Sequence, residues 1–259
     1  MRVAGLQLDL AWEDPSANFA RAEEMAKRAA SAGARLIVLP EMFATGFTMN
    51  SARAAVHADE TLRFMGALAK RTGAWIVGGF VEPHDPRPLN GCALFDPRGK
   101  ELLRYHKIHP FTLAGEERHY CAGEAIHSAA VEGVRVTPFI CYDLRFPEIF
   151  RHAAEETDLF VVIANWPEKR SEAWKTLLRA RAIEAQCFVL GVNRVGVGGG
   201  LPHQGDSALL DPLGKVLDEA AGEPAIVAGE VDASEVAEMR SKFTFLADRR
   251  EELYRRLDR

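Results

Sequence analysis

The sequence has few cysteines and no long apolar run. Its four cysteines, Cys92, Cys121, Cys141 and Cys187, include no C-x-x-C pair and have no metal-ligand partner at finger-like spacing. We therefore expect neither disulfides nor a metal site. Charged residues interrupt every apolar stretch before it reaches the roughly 20 residues that cross a bilayer, so we expect no membrane association.

Basic residues are too few and too scattered to indicate nucleic-acid binding. The 259 residues include 32 Lys and Arg against 37 Asp and Glu, a formal net charge of -5. A protein that holds a phosphate backbone needs a basic face, so we expect no nucleic-acid partner. Residues 1–7 enter an alternating strand pattern directly, without the charged and apolar regions of a secretory signal. We therefore expect a cytoplasmic protein.

The apolar patterns predict an α/β fold. A strand at residues 2–10, a helix at 18–32 and a buried strand at 36–39 form a β-α-β unit, and a helix at 61–71 with a strand at 75–80 repeats it. Over the whole chain, strands outnumber helices by about two to one, which is too many for a doubly wound fold. The patterns therefore favour mixed sheets covered by helices.

Three segments in the second half carry predictions about local structure. Proline is favoured in the first turn of a helix, so Pro147 predicts that a helix begins there. Ser171 favours an N-terminal cap for a helix over residues 171–186. The glycine-rich run 196–200 is not a G-x-G-x-x-G motif and precedes no helix, so it predicts a mobile loop rather than a nucleotide site.

Three reactive side chains, Glu41, Lys107 and Cys141, each follow directly after an apolar run. Strand ends are where α/β proteins build their sites. A thiolate is the nucleophilic form of cysteine, a nearby cation lowers the thiol pKa, and a carboxylate can accept the proton. Taken singly, each residue has an ordinary explanation: a loop acid, a solvated base and a small core side chain. The surrounding motifs decide between these interpretations.

These motifs resemble the nitrilase superfamily of carbon-nitrogen hydrolases over nearly the whole chain. In order they are LPEMF at 39–43, N-x-x-x-x-F-x-P-x-G at 90–99, KIH at 107–109, CYDLRFPE at 141–148, ANWP at 164–167, RARAIE at 179–184, NRVG at 193–196, and GDS at 205–207 leading into DPLG at 211–214. The resemblance implies a single carbon-nitrogen hydrolase domain over residues 1–259, folded as a four-layer αββα sandwich with mixed sheets. It further implies a homodimer and a reaction that uses no cofactor.

The resemblance carries a Glu-Lys-Cys catalytic triad over to Glu41, Lys107 and Cys141. In the implied mechanism, Glu41 takes the thiol proton and the thiolate attacks a substrate carbonyl. Lys107 and the main-chain N-H of Tyr142 would hold the oxyanion. The resemblance also implies a second glutamate that fixes Lys107 or the attacking water.

This second glutamate lies in the loop that follows Lys107. It is expected a few residues before the A-G pair at 122–123, which falls on Glu116, with Glu117 and Glu124 as neighbouring alternatives.

Three motifs, MFATGF, AGExxHY and ANWP, look like the omega-amidase-like branch of the superfamily. The implied substrates are ω-amides of small dicarboxylic or 2-oxo acids, such as 2-oxoglutaramate and 2-oxosuccinamate. Such ligands need a cation for the carboxylate and apolar walls for the short chain. Arg145 and Arg118 are candidates for the cation, Phe43 and Trp166 for the walls, and Asn165 is a further candidate for substrate binding.

Other interpretations stay open at this point. Arg145 could instead pair with Asp143 or Glu148, and the two aromatic side chains could belong to the core. A nitrilase, an N-carbamoyl amino acid amidase or an aliphatic amidase would use the same triad. A catalytically silent interaction module could also keep the fold.

Overall fold

A computed structural model of the chain describes residues 1–257, which form two β-sheets and seven α-helices. The strands are β1 (Arg2–Gln7), β2 (Leu36–Val38), β3 (Trp75–Glu82), β4 (Leu89–Phe95), β5 (Glu101–His106), β6 (Ala129–Val131), β7 (Val134–Ile140), β8 (Leu159–Ala164), β9 (Phe188–Asn193), β10 (Val195–Gly198), β11 (Leu201–Leu210), β12 (Val216–Ala221) and β13 (Ala225–Glu230). The helices are α1 (Pro15–Ser31), α2 (Ser51–Ala55), α3 (Ala58–Thr72), α4 (Pro147–Ala153), α5 (Ser171–Ala185), α6 (Ala233–Lys242) and α7 (Glu251–Leu257).

The two sheets pack face to face, with helices on both outer sides. The first sheet has the order β13-β1-β2-β3-β4-β5, and the second β10-β11-β9-β8-β7-β6 with β12 beside β11. Both contain parallel and antiparallel pairs. Helices α1 and α3 cover the first sheet, and α4 and α5 cover the second. This arrangement confirms the predicted αββα sandwich with mixed sheets.

Burial explains why the central strands are continuously apolar. All six residues of β8 are buried, because side chains on this strand pack against the first sheet and, through Phe160, against Phe150 of α4. Val38 of the first sheet and Val162 of the second belong to one core cluster between the sheets. No helix within residues 1–257 is long and apolar enough to cross a membrane.

Two helix ends differ from the predictions. Helix α1 begins at Pro15 rather than at residue 18, because Asp14 caps it by accepting a hydrogen bond from the Ala17 amide at 3.0 Å. Ser171 begins α5 as predicted but does not cap it; its hydroxyl donates to Asp206 at 2.6 Å. Pro147 is the first residue of α4, as predicted.

The predicted mobile loop at residues 196–200 is wrong. These glycines form the end of β10 and the turn into β11, an antiparallel hairpin. Gly199 and Gly200 have φ angles of 57° and 77°, a left-handed conformation that a hairpin turn requires and glycine adopts without strain. The assignment of the whole chain to one domain stays a prediction.

Candidate active site

The site lies where several parallel strands end at one edge of each sheet. In the first sheet β2 and β3 are parallel, and β5 returns to their direction through the antiparallel β4; in the second sheet β7 and β8 are parallel. Glu41, Lys107, Cys141 and Asn165 follow β2, β5, β7 and β8. The topology therefore brings four polar residues from distant parts of the sequence to a common edge of the sandwich.

A glycine in β3 lets the chain after β2 come close. The Gly79 amide donates a hydrogen bond to the Pro40 carbonyl at 3.2 Å. A Cβ at Gly79 would lie 2.4 Å from the Met42 main-chain nitrogen and 2.7 Å from the Glu41 Cα, closer than real side chains approach. The position of Glu41 therefore depends on glycine at residue 79.

Two carboxylates and an ammonium form a buried array at this edge. Glu41, Lys107 and Glu116 are at most 1% exposed. Lys107 Nζ donates to Glu41 Oε1 at 3.1 Å and to Glu116 Oε2 at 2.8 Å. Asn90 bridges the two carboxylates, since its Nδ2 donates to Glu41 at 2.7 Å and to Glu116 at 3.0 Å. The charges are thus paired and hydrogen-bonded, as buried charges must be.

The remaining oxygen of the Glu41 carboxylate is held by the residue after β8. The Asn165 amide donates to Glu41 Oε2 at 2.8 Å, and its Nδ2 donates to the Glu41 main-chain carbonyl at 2.7 Å. Side chain and backbone of Glu41 are therefore both anchored by the opposite sheet, which restricts the carboxylate to one orientation.

Burial and the neighbouring charges shift the pKa values of this array in definite directions. Burial opposes the charged form of Lys107, but Glu116 and Glu41 outweigh it and raise the lysine pKa above its ordinary value. Lys107 therefore keeps its positive charge at neutral pH. Burial raises the pKa of Glu116, Lys107 opposes that shift, and Glu41 adds to it.

Cys141 follows β7 in a strained conformation and lines a cavity. Its φ angle of 48° lies in the left-handed region, which costs a non-glycine residue about 1–3 kcal/mol. Burial, and then the Glu41 carboxylate, raise the thiol pKa well above its usual range, against the opposing effects of Lys107 and a main-chain hydrogen bond from Asn165. Lys107 does lower the thiol pKa, as expected for a nearby cation, but burial and Glu41 outweigh its effect.

Asp143 anchors the turn that carries Cys141. Its carboxylate accepts hydrogen bonds from the Tyr105 hydroxyl at 2.7 Å, the His109 amide at 2.9 Å and the Ile140 amide at 3.1 Å. The His109 ring also lies 2.9 Å from it. These partners explain why Asp143 does not pair with Arg145, one of the alternatives that the sequence left open.

A mostly apolar cavity of about 300 Å³ opens beside Cys141. Four other residues predicted from the sequence line it: Tyr142, Arg145, Asn165 and Trp166. The rest of the wall consists of Trp12, Phe47, Met49, Phe111, Ala114, Pro167, Arg170, Gly198, Gly199, Leu201 and His203. A cavity of this size and character suits a small organic ligand.

Two predicted substrate-binding residues lie elsewhere, and both predictions are wrong. Phe43 is fully buried between α1 and α3, with its ring centroid 5.9 Å from those of Phe19 and Phe64. The Arg118 side chain is 80% exposed and lies 3.4 Å from Glu117. In the 3-10 turn over residues 116–118, Glu116 points inward to Lys107, so Arg118 two residues later faces solvent.

The structure also distinguishes the candidate glutamates and adds residues that the sequence analysis missed. Glu116 contacts Lys107, whereas Glu117 and Glu124 do not. Asn90 belongs to the hairpin motif in the sequence, and as a polar residue within an otherwise apolar strand it also signals a buried hydrogen-bond partner. Within residues 1–257, no group of three His, Cys, Asp or Glu side chains is arranged to hold a metal ion.

Known proteins resemble this chain over nearly its whole length. The carbon-nitrogen hydrolase family model matches residues 2–241. Omega-amidase YafV of Yersinia enterocolitica is 38% identical over 251 residues, which cover 96% of both chains. The 2-oxoglutaramate amidase of Bacillus subtilis (strain 168) is 35% identical over 258 residues, which cover 97% of this chain and 98% of the relative.

A solved structure agrees in fold as well as in sequence. A mutant amidase from Nesterenkonia sp. AN1, which shows acrylamide added at its active-site cysteine, superposes with a TM-score of 0.89 at 28% identity and covers 99% of each chain. The resemblance to the nitrilase superfamily is thereby confirmed, and this chain belongs to the carbon-nitrogen hydrolase family as a hydrolase of carbon-nitrogen bonds.

Proposed function

We propose that this enzyme hydrolyses the terminal amide of short dicarboxylic or 2-oxo acid ω-amides through a thioester on Cys141. The observation that carries the proposal is the buried, mutually bonded array of Glu41, Lys107 and Glu116 behind a cysteine that lines a small cavity. This array supplies a base, a permanent cation and a nucleophile at one point, which is what acyl transfer requires.

In the first half of the reaction, the neutral thiol needs a base at the moment of attack, because its raised pKa leaves little thiolate at rest. Glu41 accepts the proton while the Cys141 sulfur bonds to the amide carbon. Lys107 and the N-H of Tyr142 stabilise the oxyanion, each donor contributing about 3 kcal/mol. Glu41 then passes the proton to the amide nitrogen, the C-N bond breaks and ammonia leaves.

In the second half, water replaces ammonia. The water gives a proton to Glu41 as its oxygen attacks the thioester carbon, and the C-S bond then breaks. The leaving sulfur takes the proton back, which regenerates the thiol and releases a dicarboxylic or 2-oxo acid. Glu116 acts as a positioning residue, since its carboxylate holds Lys107 at 2.8 Å.

The substrate class rests on the relatives and on the cavity wall. The relatives bear the names omega-amidase and 2-oxoglutaramate amidase. Arg145 and Trp166 both line the cavity, with the guanidinium 4.9 Å from the indole centroid. A cation and an apolar face suit a short acid that carries its amide at the other end.

The test is ammonia release from 2-oxoglutaramate and succinamate. Cys141→Ala and Glu41→Gln should each lower kcat by at least about 10³-fold, because each removes a group that acts as part of one unit. Cys121→Ala is the matched control, since this free cysteine lies outside the cavity wall, and its activity should stay within about twofold. Circular dichroism establishes that each variant is folded.

The outcomes separate the competing enzymes. Turnover of nitriles would instead favour a nitrilase, carbon dioxide release from ureido acids an N-carbamoyl amidase, and turnover of neutral amides alone an aliphatic amidase. Undiminished ammonia release by folded Cys141→Ala or Glu41→Gln would refute the mechanism.

The proposal includes a cytoplasmic homodimer. All four cysteines are unpaired thiols, as is usual in a reducing compartment. Ile183 on α5 and Leu213 in the neighbouring turn are 49% and 65% exposed, and a second copy packed beside α5 would bury both. Light scattering on the purified protein tests for the dimer, and Ile183→Glu should shift it toward monomer.

A further inference from the structure

Two arginines line the cavity from different chain segments, and only one of them was foreseen from the sequence. Arg145 lies four residues after Cys141, whereas Arg170 immediately precedes α5. Each guanidinium lies over an aromatic wall residue: Arg145 at 4.9 Å from Trp166 and Arg170 at 5.0 Å from Phe111. Stacking occupies the flat face of a guanidinium and leaves its edge N-H groups able to donate to a planar anion.

Neither guanidinium has an acidic partner in the described part of the chain. No carboxylate within residues 1–257 comes within 4.0 Å of Arg145 or Arg170. Arg135, which is also half-buried, does have such a partner and lies 2.7 Å from Asp158. Two unpaired cations in one small apolar cavity are unfavourable unless an anion enters between them.

The charges of the two arginines also act on each other. Burial lowers the pKa of Arg170, Cys141 opposes this shift, and the charge of Arg145 lowers the pKa further. An arginine remains ionised at neutral pH despite such a shift. A bound carboxylate would relieve both the burial of the charge and the repulsion.

We infer that Arg170 and Arg145 together bind the carboxylate of the substrate, and that Arg170 determines the preference for ω-amides of acids over neutral amides. This inference rests on the proposed function and extends it to a residue that no sequence motif indicated. Because Cys141 and both arginines line the same mostly apolar cavity, a ligand that carries an amide and a carboxylate on a short apolar chain can meet all three.

The experiment compares two substrates of matched length. Succinamate carries a carboxylate where butyramide carries a methyl group. Arg170→Gln should lower kcat/KM for succinamate about 10- to 100-fold, mainly through KM, because a hydrogen bond to a charged group is lost. For butyramide, kcat/KM should change by no more than about twofold. Arg170→Lys should recover part of the loss, since it keeps the charge but not the planar fork.

The matched control is Lys169→Gln, which removes an exposed positive charge one residue away. It should leave the succinamate-to-butyramide preference unchanged within about twofold. If Arg170→Gln lowers kcat/KM equally for both substrates, the role of Arg170 is merely structural and the inference is overturned. Unchanged kcat/KM for both substrates would overturn it as well.

A binding measurement decides the inference independently of turnover. Calorimetry should show that succinate binds to the Cys141→Ala variant. Adding Arg170→Gln should weaken this binding, with a Kd about 10- to 100-fold higher. If the glutamine variant does not fold, Arg170→Lys replaces it and should raise the Kd severalfold. Absence of succinate binding, or equal binding with and without the Arg170 change, would overturn the inference. Absence of amide hydrolysis by the wild type, with these binding results intact, would instead count against the proposed function alone.

Discussion

Lys107→Met should destabilise the fold as well as abolish activity, because the lysine is the cation between two buried carboxylates. Its Nζ lies 3.1 Å from Glu41 Oε1 and 2.8 Å from Glu116 Oε2, and all three side chains are at most 1% exposed. Methionine fills a similar volume but leaves two carboxylates facing each other without a counter-charge. Removing one member of a buried ion pair costs about 3–5 kcal/mol, so we expect the free energy of unfolding to fall by that amount.

The stability lost in Lys107→Met should depend on pH, and the surroundings of Glu116 determine the direction. Burial and Glu41 already raise the pKa of Glu116, and Lys107 opposes them, so removing the lysine raises that pKa further. A carboxyl whose pKa is raised in the folded state contributes stability below its ordinary pKa of about 4.3 and loses it as the pH rises through the folded value. The difference between wild type and variant should therefore be larger at pH 8 than at pH 5.5.

Urea unfolding followed by circular dichroism at both pH values measures this loss. Adding Glu116→Gln to Lys107→Met should restore at least about 1 kcal/mol at pH 8, since one of the opposed charges is removed. Lys169→Met, at an exposed lysine, serves as the control and should stay within about 0.5 kcal/mol of wild type. The reasoning would be refuted if Lys107→Met lowered the free energy of unfolding by less than about 1 kcal/mol at pH 8. It would also be refuted if the effects of Lys107→Met and Glu116→Gln on that free energy were simply additive.

Three further predictions concern the segments around the array. Gly79→Ala should lower kcat for amide hydrolysis about 100-fold, because a Cβ displaces Glu41; an unchanged kcat in the ammonia assay would contradict this. Asp143→Asn should lower the free energy of unfolding in urea by about 1–3 kcal/mol, since an amide group then faces donors such as the His109 amide. Alkylation of Cys141 by iodoacetamide, followed by mass spectrometry, should keep accelerating above pH 9, because burial and Glu41 raise the thiol pKa; a plateau near pH 8 would exclude that direction.

Local sequence patterns were sufficient to predict most helices and strands and to indicate the family. Continuous apolar runs such as β8 and the hairpin between β4 and β5 follow from alternation and from turn residues, which act within a few positions of the chain. The motifs around Glu41, Lys107 and Cys141 indicated the superfamily because they are short, ordered and specific. Local patterns did not show that the glycine run 196–200 would pair as a hairpin, since pairing depends on a partner strand.

The tertiary structure decided which side chains face the cavity and how their charges behave. Phe43 and Arg118 lie close in sequence to Glu41 and Glu116, yet one turns into the core and the other to solvent, because a turn reverses side-chain direction within two residues. Arg170 reaches the cavity from a segment without any catalytic motif. The direction of the Cys141 pKa shift is a sum over burial and charges from both sheets, and such a sum exists only once the chain is folded.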